Sequence, residues 1–79
     1  MLNYNSENAQ SSIIKFEHML KTNHVDFCDA QEFEYSIVHY LGVGNHQLAK
    51  KALKMGLEQH PSNVELMMLQ SEIFILDEK

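Results

Sequence analysis

Turn residues are so scarce in this chain that a fold with many reversals is excluded. Three glycines and one proline serve 79 residues. A hairpin-rich β fold has too few places to turn, so a few long helices with short connections remain. The length allows one small domain at most. Apolar residues make up 44% and charged residues 22%, a globular rather than disordered balance. The predicted class is therefore all-α, with about four helices.

The first helix is expected from about Glu7 to Thr22, with Ser6 able to cap it. A side-chain oxygen there accepts from the unpaired amides of the first turn. Ala9, Ile13, Phe16 and Leu20 fall on one stripe, which Ile14 and Met19 widen. Residues 23–28 break the period and read as a loop, with Val25 and Phe27 tucked under the helices. Asp29 and Glu32 have capping-box spacing and open the second helix. Phe33, Ile37, Tyr40 and Leu41 form its buried stripe. It stops near Gly42-Val43-Gly44, where glycine takes the left-handed conformation without a Cβ penalty.

Asn45 caps a third helix, from His46 to Gln59. Its inner face is small, with Ala49, Ala52 and Gly56. Gly56 costs about 1 kcal/mol relative to alanine in a helix, so a close neighbour is its expected reason. Lys50, Lys51 and Lys54 take the solvated side. His60-Pro61 ends the helix. Ser62 and Glu65 have capping-box spacing for a fourth helix, from about Asn63 to Leu76, with Val64, Met67, Ser71 and Phe74 as its stripe.

The segment from Phe33 to Pro61 resembles a tetratricopeptide repeat. The match rests on Phe33, Tyr40, Gly44, Ala49, Leu53, Gly56 and Pro61 at the family's spacing. Ser36 and Ile37 stand where Leu-Gly is usual, and a bulky Ile37 should part the helices or be absorbed by Gly56. Met67 and Phe74 stand one period of ~34 residues after Phe33 and Tyr40, with Ser71 at the small position. In the other direction the register fails, because Lys15 falls at a small position and Phe27 at the proline. The resemblance thus implies three segments: a packing helix and loop over 1–28, a helix pair over 29–61, and the first helix of a second, truncated repeat over 62–79. It also implies a right-handed helical-repeat arrangement with antiparallel neighbours.

Repeats of this kind bury their apolar faces against neighbouring repeats, and roughly three are needed for stability. Apolar residues crowd the last helix, so residues 64–76 are expected to continue into further repeats or to self-associate. In the family the groove lined by first helices binds an extended peptide or a helix. Carried over by position, the groove residues are Gln31, Glu34, Val38 and Leu41, then Asn63, Glu65, Met68 and Glu72. Glu34 and Val38 occupy positions where the carboxylate-clamp subclass grips chaperone tails with cationic and amide side chains, so that ligand is rejected. An acidic groove containing methionine suits a basic or apolar segment.

The expected function is accordingly a non-catalytic protein-interaction module or scaffold fragment. The alternative is a structural domain that completes its core with a second copy. The net charge of −5 and the absence of arginine argue against nucleic acid as a partner. No apolar run nears the ~18 residues of a membrane span. The start lacks a signal-peptide pattern, and the lone Cys28 allows no internal disulfide, so a cytoplasmic location is expected. No cofactor is expected. His18, His24, His39, His46 and His60 show no metal-ligand spacing. Cys28 reads as a small buried residue rather than a thiol nucleophile. The carboxylates Glu32, Glu34, Glu58, Glu65 and Glu72 are explained by capping and solvation, not acid–base catalysis.

Overall fold

The computed structural model describes residues 6–77 and is all-helical. Four helices follow one another: α1 (Ser6–Thr22), α2 (Ala30–Gly42), α3 (His46–Gln59) and α4 (Val64–Asp77). Among the described residues no helix is long and apolar enough to cross a membrane.

Local chemistry sets the ends of these helices. At α2 the Asp29 amide donates to Glu32 Oε1 at 2.9 Å, while the Glu32 amide donates to the Asp29 carbonyl at 3.0 Å. Asn45 Oδ1 accepts from the Leu48 amide at 3.2 Å and caps α3. Gly44 has φ +80, the left-handed turn that the sequence assigned to a glycine. At α4 the cap is Asn63, whose Oδ1 accepts from the Leu66 amide at 3.0 Å. The expected Ser62–Glu65 box is thus displaced by one residue, because Asn63 itself is a strong capping type. The Ser6 cap lies outside the described side chains.

The core joins Phe16 and Met19 of α1 with Phe33, Ile37 and Tyr40 of α2, Ala49, Ala52 and Leu53 of α3, and Leu66 and Ile73 of α4. The central helix is α2, packed on α1 and α3 and touching α4. Its burial extends beyond the stripe to Glu34, Tyr35 and Ser36. Gly56 lies where three helices meet. A Cβ on it would stand 3.0 Å from Phe33 Cβ and 3.2 Å from Leu66 Cδ1. The small residue therefore admits Phe33 and Leu66 rather than absorbing Ile37, which is itself fully buried.

Phe33 meets Gly56 near the start of α2 and the end of α3, as antiparallel neighbours require. The α3–α4 pair is antiparallel too: Gly56 faces Leu66, and Lys50 pairs with Asp77. The first pair differs. The connection doubles back, with the Asp26 amide on Met19 Sδ at 3.3 Å. Lys15 then meets Glu32 at 3.4 Å, while the Tyr40 hydroxyl, further along α2, donates to Glu17 at 2.8 Å. So α1 crosses α2 instead of running antiparallel to it.

Three apolar expectations fail. Val25 and Phe27 are 57% and 69% exposed, and Ile14 is exposed as well. Hydrogen bonds hold the 23–28 loop in place of apolar packing. The Cys28 amide donates to Gln59 Oε1 at 2.8 Å, and Gln59 Nε2 donates to the Asp26 carbonyl at 2.9 Å. His60 Nε2 lies 2.6 Å from the Cys28 carbonyl. A carbonyl only accepts, so this nitrogen carries the proton.

The third failure is the stripe of α4. Val64, Met67, Ser71 and Phe74 point outward, and Leu66 and Ile73 are the buried pair. Apolar side chains surround this helix, so periodicity alone could not select the inner face.

Candidate interaction surface

The fold brings α2 and α4 together. The residues predicted to line a groove divide between them. Gln31 is exposed, Val38 and Leu41 are half-buried, and Glu34 is buried on the α2 side. On the α4 side Glu65, Met68 and Glu72 are exposed. Asn63 is half-buried and its amide oxygen is committed to the α4 cap, so its role is structural at that atom.

Glu34 shows why this surface is electrostatically unusual. Burial pushes its carboxyl above the ordinary range, and the nearby Glu65 carboxylate pushes it further. A buried acid beside an exposed one favours a cation that could neutralise both. Val38, Leu41 and Met68 supply apolar surface beside them. Methionine is flexible and polarisable and accommodates varied side chains.

The apolar residues of α4 form a second feature. Val64, Met67, Met68, Phe74, Ile75 and Leu76 are between 42% and 70% exposed. On the α3 side of this ridge lies a groove of about 350 Å³, lined by Lys50, Leu53, Lys54, Leu57, Glu58 and Gln70. Lys50 pairs there with Asp77, and His46 Nδ1 lies 3.8 Å from the same carboxylate. Glu65 and Glu72 fall on the opposite flank. The ridge is thus bordered by acid towards α2 and by the mixed charges Lys50, Lys54, Glu58 and Asp77 towards α3, where Lys50 is taken by Asp77.

Cys28, His24, His39 and Tyr40 are held in structural contacts. Cys28 is 3% exposed, and burial pushes its thiol up despite the neighbouring Lys15 ammonium. Among the described residues, no three His, Cys, Asp or Glu side chains converge as metal ligands would. His24 pairs with Asp26 at 3.1 Å, and His39 packs edge-on against the Tyr40 ring. Burial and the Glu17 carboxylate raise the Tyr40 hydroxyl, so it stays protonated as donor to that carboxylate.

Of the seven residues placed in the repeat motif, Phe33, Tyr40, Ala49, Leu53 and Gly56 are buried, Gly44 makes the turn and Pro61 is exposed after α3. The lysine-rimmed groove was missed by sequence reasoning. Its signal was the i, i+4 repetition of Lys50 with Lys54 and of Leu53 with Leu57 on one side of α3. Comparison with family models, with curated proteins and with solved structures gives no match.

Proposed function

We propose that the chain is a non-catalytic protein-interaction module of tetratricopeptide-like organisation, whose α2–α4 surface takes a basic, partly apolar peptide or helix. The observation that carries this reading is the Glu34–Glu65 pair. The Glu34 carboxyl is raised first by its burial and then by the Glu65 carboxylate, at the edge of apolar Val38, Leu41 and Met68. A lysine- or arginine-bearing segment relieves that repulsion while covering the apolar residues. The antiparallel α2–α3 pair followed by α4 supports the repeat reading. The crossing of α1 supports its role as a packing helix outside the repeat. No enzymatic or cofactor role is proposed.

The test is titration of a basic amphipathic helical peptide and of its acidic counterpart by calorimetry. The basic peptide is expected to bind and the acidic one not. Glu65→Lys and Glu34→Lys should each weaken binding about tenfold, the scale of one partly desolvated charge pair. Glu58→Lys changes net charge equally in the α3–α4 groove, away from the α2–α4 surface, and should leave affinity within about twofold. Equal losses in all three variants would reduce the effect to net charge and remove the groove reading.

A further inference from the structure

The outward stripe of α4 is apolar and regular. Val64, Met67, Ser71 and Phe74 recur at helical spacing, with Ile75 beside them. Phe74 and Ile75 are 67% and 70% exposed. Exposed apolar surface of this kind marks an interface. Its two borders identify the occupant. Glu72 lies on the flank towards α2. Lys54 lies on the flank towards α3, one turn along from the Lys50 that pairs with Asp77. Because α3 and α4 are antiparallel, that turn brings Lys54 back from Asp77 to about the level of Glu72. Acid and base therefore face each other across the ridge at one height.

A surface with opposite charges on its two flanks complements itself under one rotation only. A twofold axis along the ridge sets two α4 helices side by side in the same direction and places the acidic flank of one over the basic flank of the other. An axis across the ridge gives antiparallel helices and places acid over acid. Ser71, small and central in the stripe, lets the two helices approach closely. The geometry points to a second copy of this chain as the occupant of this ridge, in an isologous dimer with parallel α4 helices and Glu72 of each copy facing Lys54 of the other. That flank also holds the acids Glu58 and Asp77, and Asp77 is paired with Lys50, so Lys54 is the lysine left to face Glu72. This inference concerns the outer stripe of α4 and does not rest on peptide binding between α2 and α4.

Sedimentation equilibrium of the full chain over a range of concentrations tests it without any peptide. A reversible dimer is expected. Phe74→Ser, an exposed change, should abolish it while the circular dichroism melt of the monomer persists. Glu72→Lys and Lys54→Glu should each raise the dimer Kd about tenfold, and an equimolar mixture of the two should recover dimer to within about threefold of the original. The paired variants separate local complementarity from net charge. Each chain carries −5, so general repulsion alone would make Glu72→Lys associate more tightly and Lys54→Glu less. Tightening by Glu72→Lys would overturn the parallel arrangement. A monomer at every concentration, or a dimer indifferent to Phe74→Ser, would overturn the inference outright.

Discussion

A Cβ on Gly56 would stand 3.0 Å from the Cβ of Phe33. That atom is anchored to the α2 main chain and cannot swing aside as the end of a long side chain can. The contact fixes how closely α3 approaches α2, and Leu66 of α4 shares the same gap. One missing methyl group thus sets the junction of three helices.

Gly56→Ala is accordingly expected to destabilise the chain although alanine is the better helix former. Propensity favours the substitution by about 1 kcal/mol, while crowding in a packed core costs about 1–3 kcal/mol. Gly56→Val should fall at the upper end. Gly42→Ala is the contrast, because a Cβ there meets nothing within 4 Å, and it should be neutral or stabilising. Thermal melts read the difference at roughly 4–8 °C per kcal/mol for a domain of this size.

The caps of α4 offer a second prediction. Asn63→Ala should cost about 1 kcal/mol, since it removes the acceptor of the Leu66 amide. Ser62→Ala should change urea stability by no more than a few tenths of that amount. Equal losses at the two positions would contradict the placement of the cap.

Glu34 gives the chain a pH signature. Its folded carboxyl titrates above its unfolded one, so the folded state holds the proton more tightly. The contribution of this group is fully favourable below the unfolded carboxylate range and is lost as pH rises through the folded value. Glu34→Gln should therefore raise the melting temperature at neutral pH, with the gain shrinking as pH falls through the carboxylate range. A gain that stays constant with pH would indicate packing rather than ionisation.

Cys28 reports on the loop that holds it. Its thiol is buried and pushed up by burial, so a thiol reagent should label the native chain far more slowly than the denatured one. Gln59→Ala removes the acceptor of the Cys28 amide and the donor to Asp26. Labelling should then accelerate about tenfold or more, corresponding to at least ~1.4 kcal/mol less protection against opening. Val25→Ser, at an exposed position, should leave the rate unchanged.

Much of the fold was legible in the sequence, because its signals are chemical rather than statistical. Asn45, Glu32, Gly44 and Pro61 mark helix ends by what their side chains or rings permit. Gly56 marked a close approach by its cost in a helix, although not which neighbour would fill it. The register of α4 was illegible, since Leu66, Met67, Met68, Leu69, Ile73, Phe74, Ile75 and Leu76 spread around most of the helix and the narrow flank of Glu65 and Glu72 does not single out one apolar face. The inner pair Leu66 and Ile73 follows from the gap at Gly56, a tertiary fact. Phe27 misled for a related reason. Its ring sits tilted against the His60 ring at the surface, with centroids 5.3 Å apart, and an apolar residue type does not reveal that. Glu34 was placed in the groove from the sequence, but its closeness to Glu65 depends on how α2 and α4 lie together.

Gln59 and His60 together tie the 26–28 main chain to the end of α3, more than thirty positions away in sequence. Everything between those points, the whole α2–α3 hairpin, is enclosed by the tie as if in a loop with a clasp. While it holds, the start of α2 cannot part from the end of α3, and the hairpin opens as one unit. Without it, the open ends of the hairpin would fray, and amide exchange at the end of α3 would run ahead of exchange in its middle instead of matching it.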